Sequence, residues 1–213
     1  MASVRRHRQR RPARGPATRS PRRRLLVVCE GAKTEPDYVR GFVRQCRAAV
    51  VEIRIPDERG DPRRLVEIAK KHKTWADREA RSERDPLLAY DEVWCVFDRD
   101  QHERFTDACT MARDNGFLLA VSNPCFELWL LLHFRDSPGL QDRHAVQRMV
   151  ASYIPGYVKS LDFSTVAKGV GDAKRRAERL DADAEAMDEP GRNPTTWVYR
   201  LTDSIARTGE ETP

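Results

Sequence analysis

Residues 25–35 read Leu-Leu-Val-Val-Cys-Glu-Gly-Ala-Lys-Thr-Glu, and no other stretch limits the available folds so sharply. An apolar, partly β-branched run ends in an acid and a glycine, and a helical pattern begins at once. A strand that is apolar on both faces is covered on both sides by helices, as in a parallel sheet. Glu30 then stands at the strand's carboxyl end. Gly31 makes the turn with no Cβ in the way, and Thr34 and Pro36 open the helix as cap and early-turn proline. Glu35 falls in the first helical turn. In open α/β sheets, ligands sit outside the carboxyl ends of the strands. Two readings stand for these acids. They belong to a site, or Glu30 merely ends a strand while Glu35 favours the positive end of the helix dipole.

Residues 91–98, Asp-Glu-Val-Trp-Cys-Val-Phe-Asp, form a second run of this kind and read as a central parallel strand. It ends in Asp98-Arg99-Asp100. Two carboxylates separated by one residue at the end of a buried strand can reach one point in front of the sheet, an arrangement suited to oxygen-preferring Mg2+. With Glu30 delivered to the same edge, the acids raise one another's pKa unless a cation neutralises them.

Between these runs the spacing predicts a helix over 35–49 carrying Tyr38, Phe42, Cys46 and Ala49, then an edge strand over 50–55 ended by Pro56. Asp61-Pro62 opens a helix with Leu65, Ile68, Ala69, His72, Trp75 and Ala76 on one face. His72 reads as a packed or rim histidine, since no partner histidine or cysteine lies near it in sequence. Next come a helix with Phe105, Ala108, Cys109 and Ala112, ended by Asn115-Gly116, and a strand over 117–121. The helix over 126–134 is apolar nearly all round, which marks it as buried and makes Glu127 the anomaly within it. That acid belongs to a metal site, directly or through a neighbour, or pairs with an arginine. A helix from His144, a loop over 155–159, a polar helix from about 171 to 187 and a last helix capped by Asn193-Pro194-Thr195-Thr196 complete the chain. This alternation gives one α/β domain with a mostly parallel sheet flanked by helices and a helical C-terminal region.

At 213 residues and 39% hydrophobic content, one such domain has a sufficient core. The net charge of +6 is unevenly placed. Residues 1–24 hold ten arginines and no acid, which leaves 29 basic and 33 acidic residues and a formal −4 for residues 25–213. The sequence therefore divides into an Arg-rich arm, 1–24, read as disordered, and a domain, 25–213. The arm either contacts nucleic-acid phosphates, with Arg22, Arg23 and Arg24 nearest the domain, or only solubilises. No apolar run approaches the roughly 20 residues of a membrane span, and no signal-peptide core precedes the domain, so a cytoplasmic protein without membrane contact is expected. The five cysteines include no C-x-x-C pair and read as small core hydrophobes. Gly31-Ala32-Lys33-Thr34 lacks the upstream glycine of a P-loop, so ATP hydrolysis by this chain is rejected.

Taken in order, Val28-Cys29-Glu30-Gly31-Ala32-Lys33-Thr34-Glu35, Phe97-Asp98-Arg99-Asp100, the block from Ser122-Asn123-Pro124 through Phe126-Glu127-Leu128-Trp129 to His133, and Asn193-Pro194-Thr195-Thr196 resemble the RloB family. The resemblance covers most of the chain from Leu25 onward and is most specific in the third block. It implies a compact Toprim-like, Rossmannoid domain related to OLD-type nucleases, a role in abortive phage defence, and Mg2+ (or Mn2+)-dependent phosphodiester chemistry on DNA or on tRNA or other RNA. It further implies a partner ATPase of ABC or AAA type. Residue by residue, it makes Glu30, Asp98 and Asp100 the catalytic acids. Glu35, five residues after Glu30 where the OLD pattern has four, resembles that pattern's extra glutamate and joins them as a metal ligand; Glu127 is added to the metal set on its own placement in the apolar helix, not by the resemblance. It also offers Lys159 as a catalytic or phosphate-contacting amine, beside its reading as a loop lysine. Lys33 is taken with the three arginines as a nucleic-acid contact. The expectation is a metal-dependent nuclease. The alternative is a non-catalytic nucleic-acid or protein-binding module with a structural cation at its acids, and the oligomeric state is left open.

Overall fold

A computed structural model describes residues 23–47, 50–55, 62–99, 104–158 and 160–207. Within them a five-stranded sheet carries seven α-helices. The elements run β1 (Arg24–Cys29), α1 (Thr34–Cys46), β2 (Val50–Arg54), α2 (Pro62–Glu83), β3 (Glu92–Asp98), α3 (Phe105–Asp114) and β4 (Leu118–Asn123), followed by α4 (Glu127–Leu131), α5 (Arg143–Tyr153), α6 (Val170–Ala186), β5 (Thr195–Thr196) and α7 (Val198–Ala206). The strand order is β2-β1-β3-β4-β5, parallel except for β5. The α/β class, the parallel sheet with β2 at its edge and the helical C-terminal region therefore stand as expected.

The period of two along β1 sorts its side chains onto two cores. Leu25, Val27 and Cys29 join Tyr38, Phe126 and Trp129 under α1 and the C-terminal helices, while Leu26 and Val28 join Leu65, Val66, Ala69 and Ala108 under α2 and α3. The chain leaves β1 through α1 on one face and reaches β3 through α2 on the other. Between β1 and β3 the connections diverge to opposite faces, which opens a crevice at the carboxyl ends of those two strands.

Several local expectations are corrected. Helix α1 starts at Thr34, and its preceding residue Lys33 makes no side-chain cap; the Thr34 hydroxyl instead pairs with the Tyr157 hydroxyl at 3.1 Å. It ends at Arg47 in the left-handed region (φ 54°), earlier than position 49, because the chain must reverse within a few residues to enter β2. Helix α4 stops at Leu131, where tighter bonds from His133 N to Leu130 O and from Phe134 N to Leu131 O close its last turn. Thr195 and Thr196 form the short antiparallel β5 instead of only a cap, although Thr196 Oγ1 still accepts from Val198 N at 3.4 Å. Trp75 does not share the buried face of α2: it is 55% exposed. Asp61, Pro56 and the chain's last six residues lie outside the described residues.

The arm boundary also moves. Arg24 is the first residue of β1, where its guanidinium bonds Leu88 O, pairs with Glu52 at 3.2 Å and lies 4.5 Å from the centre of the Tyr90 ring. Arg23 pairs with Glu92 and donates to Ser204 O at 3.0 Å. Burial pushes the Glu92 carboxyl up, but hydrogen bonds from Ser204 and Trp94 and the Arg23 charge outweigh it and hold the group below its ordinary range. Both arginines thus tie down the amino edge of the sheet, opposite the crevice. Arg22 and the rest of the arm lie outside the described residues.

Candidate functional site

The carboxyl ends of β1 and β3 are fixed against each other by hydrogen bonds. Glu30 N donates to Val96 O at 2.9 Å, and Asp98 N donates to Glu30 Oε2 at 3.2 Å. The strand-end glutamate therefore leans over the end of β3 and brings its carboxylate to the residue that carries Asp98. In front of them opens a cleft of about 400 Å³ lined by Glu30, Lys33, Glu35, Asp98, Glu127 and Arg143, with Gln147 beside them.

Each acid arrives by a different route. Glu35 sits in the first turn of α1 and is 8% exposed, with its carboxylate folded over Gly31, where any Cβ would overlap it. Glycine at position 31 leaves the space in which that carboxylate lies; a side chain there would require the Glu35 carboxylate to move. Asp98 is the last residue of β3, its side chain 13% exposed. Glu127 opens α4 at 5% exposure. Its Oε1 accepts from Tyr157 OH and from Gln147 Nε2, both at 3.2 Å, so the loop after α5 and the face of α5 hold it from two sides. Arg143, at the start of α5, places Nη2 3.4 Å from Asp98 Oδ2. Lys33 is exposed at the mouth of the cleft.

These acids are forced together in a partly dry place, and the proton affinities of Asp98 and Glu35 show it. Burial first, then the charges of Glu35, Glu127 and Glu30, push the Asp98 carboxyl well up, with Arg143 opposing. Burial, with Glu127 and Glu30 adding to it, raises Glu35 to about 7. Cys125 and Tyr157 are pushed up by burial and by the Glu127 charge.

Sequence reasoning missed Arg143, Gln147 and Tyr157. Tyr157 belongs to the loop over 155–159, whose signal in the sequence is the cation Lys159; that lysine lies outside the described residues, as does Asp100. Arg143 left one faint signal, a cation just before the apolar periodicity of α5.

The donor chemistry of the cleft, four carboxylates and no soft ligand, fits a hard divalent cation. The spacing is looser than that chemistry asks: among the described residues, no group of three or more histidine, cysteine, aspartate or glutamate side chains stands close enough to hold an ion.

The family model described as RloB-like protein matches residues 25–205. The chain belongs to the RloB-like family. Comparison with curated proteins and with solved structures gives no match for this RloB-like chain. Among the described residues, no helix is long and apolar enough to cross a membrane.

The cleft of this RloB-like chain carries a pH signature. Glu35, raised from 4.5 to about 7, is protonated in the fold when the unfolded chain has already lost that proton. Its contribution to stability is full below pH about 4.5 and drains away as the pH rises to about 7. His133, lowered by burial from 6.5 to about 4, acts oppositely: its contribution is full above 6.5 and is lost as the pH falls toward 4. In the overlapping window the two slopes offset each other. Glu35→Gln is expected to unmask the histidine, so that the melting temperature of the variant in EDTA falls on acidification from pH 6.5 to 4.5 more steeply than that of the wild type. Parallel curves for the two proteins would rule out a raised Glu35.

Proposed function

We propose that this RloB-like chain is a Mg2+- or Mn2+-dependent nuclease that cleaves nucleic-acid phosphodiesters. In this reading it is a Toprim-like effector of abortive phage defence and works with a partner ATPase of ABC or AAA type. The observation that carries the reading is the convergence of Glu30, Glu35, Asp98 and Glu127 on one cleft at the switch between β1 and β3, beside the cations Arg143 and Lys33. Glu30 and Asp98, with Asp100 of the same motif, would hold the cation, and Glu35 and Glu127 would complete its surroundings. The bound ion would polarise the phosphate and lower the pKa of a water molecule. The side chains supply the rest. Arg143 and Lys33 offer donors for phosphate oxygens. Tyr157 and Gln147 hold Glu127 in place. Glu35, whose proton affinity burial raises in the metal-free cleft, is a carboxylate placed to accept a proton.

The test is incubation with plasmid DNA, single-stranded DNA and total tRNA, in Mg2+, in Mn2+ and in EDTA, with and without a co-expressed partner ATPase. Metal-dependent cleavage of any of them is expected. The loose spacing of the acids favours a second reading, a non-catalytic binding module with a structural cation, and cleavage of no substrate under any of these conditions would select it.

The arm enters the same assay. Removing residues 1–22, while keeping Arg23 and Arg24 for their structural pairs, takes the formal charge from +6 to −2. If the arm binds phosphates, KM rises and the log-log salt slope on duplex DNA flattens by roughly 0.9 for each phosphate that the arm neutralises. Saturated turnover stays nearly constant, since such an arm binds ground and transition states alike. An unchanged KM and salt slope would make the arm a solubilising extension.

A further inference from the structure

Helix α2 has two sides that do not match. Leu65, Val66, Ala69 and Ala76 are buried against the sheet, whereas Lys70, Lys71, Thr74, Trp75 and Arg78 lie on its outer side, with Trp75 well exposed. With Glu67, these five line a shallow surface groove. Trp94 and Trp129 are buried, and Trp197 is partly covered with its Nε1 donating to Asp181 at 2.8 Å. Trp75, 55% exposed, is the tryptophan left facing solvent. Earlier on the helix and on its flank, Arg63 and Arg64 pair with Glu67 and Lys73 with Asp77. Among the described residues, Lys70, Lys71 and Arg78 are held in no ion pair. Along the helix axis Trp75 lies about 6–8 Å from the two lysines and about 4.5 Å from Arg78. An aromatic face is therefore flanked by unneutralised cations, on a domain whose formal charge over residues 25–213 is −4.

We propose that this stripe binds single-stranded nucleic acid, outside the acidic cleft, with an unpaired base stacked on the Trp75 indole and the neighbouring phosphates on Lys70, Lys71 and Arg78. Charge complementarity selects a polyanion. The exposed ring selects a single strand, since bases stacked within a duplex present no free face to it, and stacking on an aromatic is the sequence-tolerant way of holding such a strand. The inference does not depend on cleavage, because binding is read in EDTA.

The test uses the full chain with unlabelled 15-residue oligo-dT and oligo-rU and a duplex of mixed sequence. Tryptophan fluorescence, competition binding and sedimentation are followed at two salt concentrations. Single strands are expected to quench the wild-type emission. Trp75→Ala should abolish that quenching and weaken single-strand binding on the order of tenfold. Trp75→Phe, which keeps a ring, should retain affinity within a few-fold, and duplex affinity should not distinguish the three proteins. Lys70→Ala with Lys71→Ala should flatten the single-strand salt slope by roughly 1.4, or 0.7 for each phosphate. Equal single-strand affinity of wild type and Trp75→Ala would overturn the proposal. So would an equal loss on duplex, or a wild-type dimer that Trp75→Ala converts to monomer, which would assign the face to a second copy.

Discussion

Asp98→Asn is expected to abolish divalent-cation binding and lower metal-dependent cleavage by more than about a hundredfold, while making the metal-free protein more stable. The activity part follows from the proposed role: loss of a partner that only supports a metal ligand already costs about 10–100-fold in affinity or activity, and loss of a ligand exceeds that. The stability part follows from the cleft alone. Burial and the charges of Glu35, Glu127 and Glu30 all disfavour an ionised Asp98, and the pair with Arg143 at 3.4 Å is too long to compensate fully. Asparagine has nearly the same shape and carries no charge. The variant should therefore melt higher than the wild type in EDTA at neutral pH, by about 2–4 °C for each kcal/mol of strain relieved in a chain of this size. Mn2+ should raise the melting temperature of the wild type but not of the variant. A variant that melts lower in EDTA would show that Asp98 is a structural partner of Arg143. One that keeps the Mn2+ shift would remove Asp98 from the metal site.

Tyr38→Ala is expected to be the most damaging single change to the fold. The Tyr38 ring is fully buried, and its centre lies 6.3 Å from Phe42, 5.9 Å from Phe126 and Trp129, 5.6 Å from His133 and 5.3 Å from Phe163. Its hydroxyl adds a directed interaction. His133 Nδ1 lies 2.8 Å from Trp129 O, a carbonyl that can only accept, so Nδ1 carries the proton and Nε2 accepts from Tyr38 OH at 3.2 Å. Removing the ring empties the junction of α1 and α4 and costs about 3–5 kcal/mol, a drop of about 6–20 °C. Tyr38→Phe keeps the packing and loses only the hydrogen bond to a buried histidine, a cost of about 1–3 kcal/mol. Thermal melts of both variants check this. Equal losses would mean that the hydroxyl, not the ring, holds the junction. Because α1 carries Glu35 and α4 carries Glu127, the alanine variant should also lose cleavage out of proportion to its folded fraction.

How much of the fold is legible in the sequence depends on whether the signal is local. The strands β1 and β3 announce themselves because a strand covered on both faces is a continuous apolar run, and the same logic places Glu30 and Asp98 at one edge. Glu127 stands out as an acid in an apolar helix. The two residues of β5 are too few for any periodicity, so they are legible only as a threonine pair. Arg143, Gln147 and Tyr157 reach the cleft only through the packing of α5 against α4, and no spacing encodes that. Trp75 fails differently: it lies one position from Ala76 on the helix, close enough to the buried stripe for pattern alone to place it inside.

The Glu92 cluster has a practical consequence. Arg23, from the segment that leads into β1, and Ser204, in the last helix, meet on one carboxylate at the amino edge of the sheet. The acids lie at the far end of strands six and seven residues long, about 20 Å away. The two ends of the described fold are thus neighbours at the pole facing away from the cleft. Domains with adjoining ends tolerate rewiring of their connectivity. A linker joining Arg23 to Arg207, with new ends cut elsewhere, or a reporter domain fused directly at either residue, is therefore anchored at the pole away from the acids. Immobilising the protein through that pole would leave the cleft open to solution.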